Sequence, residues 1–131
     1  MRGALARSLA AVALAAALAG SGSALAGDGP TRLQVRGSEW DLTLSRAKVD
    51  PGRARIEFVN QGEDPHDLKL RRLGTSRRFA LGEVEPGGVA EFEPLRLRRA
   101  SRYRLWCSLE DGLHRQLGMV ATLRVRRAAR D

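Results

Sequence analysis

The stretch YRLWCSLEDGLHRQLGMVATLRV, Tyr103 to Val125, decides how this chain is read. Tyr103, Leu105 and Cys107 alternate with Arg102 and Arg104, and Met119, Ala121, Leu123 and Val125 alternate with Thr122 and Arg124. A period of two with one apolar face is the signature of a half-buried strand. The two strands flank a loop that gathers rare residues. Cys107 is the only cysteine, His114 is one of two histidines, and Met119 is the only methionine besides Met1. Cys107 and Met119 both fall on the inward phase of their strands, and His114 lies in the connection between them.

The same alternation recurs upstream. It runs through Trp40, Leu42 and Leu44, through Ala54, Ile56 and Phe58, through His66, Leu68 and Leu70, and through Ala90 and Phe92. Turn chemistry separates these segments: Asp50-Pro51-Gly52, Gln61-Gly62-Glu63-Asp64-Pro65 and Glu85-Pro86-Gly87-Gly88. Helical periodicity is weak. Many short strands punctuated by Pro and Gly predict an all-β domain, a sandwich or small barrel of about 7–8 strands. Leu73 to Glu83 is the least regular stretch and reads as a loop or a short helix. No internal repeat or second domain is visible.

The N-terminus sets an expected compartment. Arg2 and Arg7 precede an Ala/Leu/Val run from Leu9 to Leu18, which ends in Ala24-Leu25-Ala26. This pattern predicts a helical secretory signal peptide over residues 1–26, leaving a domain at 27–131 in a secreted or periplasmic setting. The run is shorter than the roughly 20 residues a transmembrane helix needs, and nothing later is long and apolar enough to span a bilayer. Loss of Arg2 and Arg7 with the signal lowers the net charge from +8 to +6. The positive charge is almost all arginine, since Lys48 and Lys69 are the only lysines. A GC-rich genome gives this bias without any function. A basic face otherwise favours acidic partners or anionic membranes. Few aromatics are present to stack on bases, which argues against nucleic acid.

A lone cysteine in an exported chain makes no internal disulfide. It is buried and inert, paired with another chain, reactive, or bound to metal. His66 shares the inward phase of Leu68 and Leu70, so His66, Cys107 and Met119 all start or end strands facing the core, with His114 placed to close the group. Each alone reads as ordinary packing or a solvated side chain. Together they form a donor set that zinc does not favour, because a thioether is a poor zinc ligand. Two imidazoles, one thiolate and a weak axial thioether are the ligand set of blue-copper centres. The predicted metal ligands are therefore His66, Cys107, His114 and Met119, holding one Cu(I)/Cu(II) ion.

These residues sit in a wider pattern. VDPGRARIEFVNQGEDPHDLKL (residues 49–70), EVEPGGVAEFEP (83–94) and the Tyr103–Val125 stretch together resemble the cupredoxins, small exported blue-copper proteins of the plastocyanin, azurin and amicyanin type. The resemblance covers most of the chain after residue 26. It implies a Greek-key β-sandwich, copper at the four residues named, and an approach of the Pro65 carbonyl to the metal. Two departures stand out. Six residues separate Cys107 from His114, more than in many small members, and Asp67 follows His66 where the family often has Asn. Asp67 is expected to accept backbone N–H bonds from the cysteine loop and to lower the midpoint potential.

Four functions are compatible with these residues. The first is a one-electron carrier, not an enzyme, expected to be monomeric. Its redox protein partner would dock near His114 on a patch of Leu109, Leu113 and Leu117, with Arg115 selecting an acidic surface. The second is a copper-binding or copper-delivery protein without obligatory electron transfer. The third is a Cys-His thiol enzyme using Cys107 as nucleophile, and the fourth is a metal-free interaction domain. Trp106 points to the face opposite the core, packing under Arg102 and Arg104 or facing a partner.

Overall fold

The computed structural model describes residues 29–130; the predicted signal peptide lies outside the described residues. Among the described residues, ten strands form two sheets. One sheet has β1 (Thr31–Ser38), β2 (Asp41–Leu44), β4 (Gly52–Asn60), β7 (Val89–Glu91) and β8 (Leu95–Leu97). The other has β3 (Lys48–Val49), β5 (His66–Arg72), β6 (Arg78–Val84), β9 (Arg102–Trp106) and β10 (Val120–Val125). The count exceeds the expected 7–8 because β3, β7 and β8 are short segments of two or three residues.

The chain passes repeatedly between the sheets, so sequence neighbours are often not sheet neighbours. In the first sheet the order is β2-β1-β4-β7, with β8 also on β4; in the second it is β3-β10-β9-β5-β6. β1 runs parallel to β4, from Thr31 opposite Ala54 to Gly37 opposite Asn60. β9 lies between β5 and β10, antiparallel to both. That placement puts the end of β9 beside the start of β5 and the start of β10. Sequence phase alone does not give this adjacency.

Alternation builds the core. Leu33 and Val35 of β1, with Ala54, Ile56 and Phe58 of β4, face Leu70 of β5, Tyr103 and Leu105 of β9, and Leu123 and Val125 of β10; all are buried. Each fully buried large apolar side chain contributes about 1.5–3 kcal/mol relative to exposure. Leu73–Glu83 is neither a loop throughout nor a helix, because β6 occupies most of it as the edge of its sheet. Its alternation is confined to half-buried Phe79 and Leu81 and is obscured by neighbouring Arg and Gly. Trp40 is not part of an inward strand face; it lies in the turn between β1 and β2.

Candidate metal centre

Three buried side chains converge at one end of the sandwich. His66 opens β5, Cys107 follows β9, and His114 lies in α1 (Leu113–Leu117). His66 Nδ1 and His114 Nδ1 are 3.2 Å apart, and Cys107 Sγ is 3.9 Å from the first and 3.5 Å from the second. These edges put a point equidistant from all three atoms at about 2.1 Å from each, close to typical metal–nitrogen and metal–thiolate bond lengths of roughly 2.0–2.3 Å. The donor atoms therefore already surround a space that fits one first-row metal ion.

Local chemistry fixes each donor. The Glu39 carboxylate lies 2.7 Å from His66 Nε2. It also accepts the backbone N–H groups of Glu63 (3.0 Å) and Asp64 (2.9 Å). Those two N–H groups, with help from His66, hold the Glu39 pKa down at about 2. An ionised carboxylate only accepts hydrogen bonds. In the neutral His66 ring the hydrogen then sits on Nε2, and Nδ1 turns a lone pair to the cluster. Carboxylate partners of this kind set the tautomer and orientation of metal-binding histidines. Gly62 makes the contact possible, because a Cβ at that position would collide with the Glu39 carboxylate.

The loop before His66 is shaped by Asn60, which is fully buried. Its amide donates to the Asp64 and Val84 carbonyls at 2.8 Å each, and its side-chain oxygen accepts from Gly62 N–H at 2.9 Å. Asp67 turns the other way. It accepts from Ser108 N–H at 2.6 Å and from Ser108 Oγ at 2.5 Å, and its own N–H points at Cys107 Sγ at 3.5 Å. The expected tie between Asp67 and the cysteine loop is present. Lys69 lies 3.5 Å from Asp67 and offsets part of its charge.

Burial pushes the Cys107 thiol pKa up, while backbone N–H groups of Leu109 and Asp67 act against it. A cation bound beside the sulfur would offset that burial and favour the thiolate.

The six-residue gap between Cys107 and His114 is filled by a 3-10 turn, Glu110–Gly112, leading into α1. His114 thus lies on a short helix rather than in an open loop, which is why the extra residues do not carry it away from the cluster. Met119 N–H donates to the His114 carbonyl at 3.0 Å, and Cys107 N–H donates to the Met119 carbonyl at 3.1 Å. Met119 is fully buried, and its backbone joins the other two loop residues. Gly118 has φ +130°, and a Cβ there would lie 2.6 Å from the Trp40 carbonyl oxygen.

Trp40 roofs the site, with its ring centroid 4.6 Å from that of His114 and 6.3 Å from that of His66. Leu113 and Leu117, on the helix that carries His114, are exposed, while Leu109 is partly buried against the core. The cation over the Trp106 ring is Arg115, at 5.0 Å, rather than Arg102 or Arg104. Sequence reasoning missed Glu39, Trp40 and Asn60 as contributors. Glu39 and Trp40 carry no motif, and the only hint at Asn60 was its place in the loop before His66.

No protein-family model matches the chain, and no curated protein matches it. Solved structures do. Auracyanin from Roseiflexus castenholzii superposes with a TM-score of 0.59 at 15% identity, over 74% of this chain and 98% of that one. Auracyanin A, a "blue" copper protein from Chloroflexus aurantiacus, gives 0.52 at 13% identity over 75% and 100%. The copper-containing nitrite reductase of Thermus scotoductus gives 0.54 at 16% identity, over 78% of this chain but 32% of the enzyme. Taken with the two-sheet architecture and the convergence of His66, Cys107 and His114 at one end, these likenesses give the chain a cupredoxin fold.

Proposed function

We propose that the chain is an exported one-electron carrier holding a single copper ion at His66, Cys107 and His114, with Met119 as the weak fourth donor. The observation that carries this reading is the triangle of donor atoms whose centre lies at metal-bond distance from all three. The donor chemistry selects copper over zinc, since two imidazoles, one thiolate and a thioether suit both copper oxidation states. Copper bound there supplies a one-electron couple.

The residues divide the remaining work. Glu39 orients His66, Asp67 ties Ser108 and so fixes the cysteine turn, and the adjacent strands β5, β9 and β10 of one sheet, with the connection between the last two, carry all the donors. A shared sheet keeps the donors in one arrangement whichever charge state they surround. Trp40, Leu113 and Leu117 form an apolar rim around His114, the site's edge toward solvent, where a redox partner would dock. Arg115 beside this rim favours a partner with acidic groups. Cavities of about 660 and 460 Å³ lie elsewhere and are not lined by the cluster. Export rests on residues 1–26, and among the described residues no helix is long and apolar enough to cross a membrane.

The test is to add Cu(II) to the purified protein and record the visible spectrum. An intense thiolate-to-copper band, absent in Cys107→Ser, is the expected outcome; an unchanged spectrum overturns the reading. Voltammetry then separates two roles. A reversible one-electron wave supports a carrier, and transfer of the ion to an acceptor without such a wave supports copper delivery.

A further inference from the structure

The two cavities differ in charge balance. In the cavity of about 460 Å³, Arg32, Arg46 and Arg55 are accompanied by Glu57 and Glu91, and Arg55 pairs with Glu91 at 2.6 Å. The cavity of about 660 Å³ is lined by Arg72, Arg77, Arg96, Arg98 and Arg99, and among the described residues no carboxylate is in its wall. None of these five forms an ion pair among the described residues. The nearest acid in sequence to the wall, Asp50, is engaged by Arg126 at 2.9 Å. An arginine-rich composition scatters guanidinium groups over a surface. It does not explain five like charges around one concavity with no acid among the described wall residues.

The cavity lies at the pole opposite the metal centre. It takes in the start of β4, the end of β5, the start of β6, β8 and the start of β9. Tyr103 is buried in its floor, and its hydroxyl accepts the Arg98 backbone N–H at 3.0 Å. Arg72 N–H donates to the Arg77 carbonyl at 3.1 Å, closing the turn that carries Arg77. The Arg77 guanidinium lies 5.7 Å from the centre of the Phe79 ring. Guanidinium groups bind phosphate oxygens bidentately and do so better than ammonium groups. Five of them around so wide an opening match several anionic groups rather than one.

We propose that this pole is a binding site for a ligand carrying clustered phosphate groups. A free polyphosphate and a phosphorylated lipid headgroup share that chemistry. β5, β6 and β9 separate the site from the metal centre, so occupancy here leaves the apolar rim around His114 open.

Calorimetric titration of inorganic tripolyphosphate into the metal-free protein tests the site without reference to copper. Saturable binding is expected, weakening between about 50 and 200 mM salt as phosphate–arginine contacts do. The double variant R96A/R98A should lose at least about tenfold in affinity, while R36A/R124A, which removes the same charge from two exposed strand positions, should lose less than about twofold. Absence of saturable binding, or equal loss in both double variants, overturns the proposal. Affinity for orthophosphate equal to that for tripolyphosphate overturns the clustering. Given the expected titration, phosphatidylcholine vesicles containing phosphatidic acid identify the source. Co-sedimentation reversed by tripolyphosphate assigns a headgroup, and its absence assigns a free polyphosphate.

Discussion

His66 and His114 bring their Nδ1 atoms to 3.2 Å from one another by unlike routes. His66 is held by side chains: Glu39 grips its far nitrogen, Asn60 shapes the loop before it, and Asp67 reaches across to Ser108. His114 is held by backbone: a 3-10 turn, a five-residue helix and the bond from Met119 N–H to its carbonyl. The first arm is specified by scattered charged and polar groups, and the second by a contiguous segment with a glycine at its end. The first should therefore respond to changes of charge, and the second to changes of backbone freedom.

Gly118→Ala breaks the second arm and should have the largest effect. Its φ of +130° disfavours a side chain, and the added Cβ meets the Trp40 carbonyl. Strain at such a position costs about 1–3 kcal/mol, and the close contact adds to it. Denaturant unfolding should show a loss of at least about 2 kcal/mol, with little copper retained. A stability within error of the parent would mean that the helix end is not what holds His114.

Glu39→Gln tests the first arm. Loss of such a carboxylate partner typically lowers metal affinity by about 10–100-fold. Copper competition titrations should show this with only a small change in melting temperature. Gly62→Ala sharpens the result, because it keeps the carboxylate and pushes it from its seat. If Gly62→Ala leaves copper affinity at the parent value while Glu39→Gln lowers it, charge rather than orientation is at work.

A smaller effect is expected of Asp67→Asn. The amide can still accept the Ser108 N–H bond, so stability should change by less than about 1 kcal/mol. Removal of the negative charge should raise the midpoint potential, as read by voltammetry. An unchanged potential would mean that Lys69 already cancels the charge.

Glu91→Gln, far from both arms, sets the baseline. Arg55 holds the Glu91 pKa below its ordinary value. A depressed carboxyl pKa stabilises the fold above the unfolded value near 4.5 and loses that contribution as pH falls through the folded one. The pair is exposed, so the parent's melting temperature should exceed the variant's only slightly at neutral pH. That margin should vanish in strong acid and shrink in high salt.

The comparison also explains what could be read from the sequence. Cys107 and His114 were legible because loop and strand phase lie within one short stretch, and the inward phase read for Met119 agrees with its burial. His66 was legible from the phase of β5, although a bulge between His66 and Leu68 leaves Asp67 buried as well. Glu39 was not legible: it lies 27 residues from His66, in a turn without apolar pattern, and reaches the ring only because β1 and β4 pair in parallel. Trp40 misled because its place before Leu42 mimics strand alternation, while the chain turns at that point. Strand β1 was overlooked because Arg32, Gln34 and Arg36 interrupt a sparse apolar face. The arginine-lined pole could not be anticipated, since its residues come from five strands and the turns that adjoin them.

Cys107 N–H to the Met119 carbonyl is the last rung of the β9–β10 ladder, and all residues between are chain closed at a fixed gate. The entropy of closing such a segment grows only logarithmically with its length, about 0.6 kcal/mol for each doubling. The long interval before His114 therefore asks almost nothing of the sandwich beneath it. Loop length becomes a nearly independent variable, one that sets how far the apolar rim stands out from the scaffold while the gate keeps sulfur and imidazole in place.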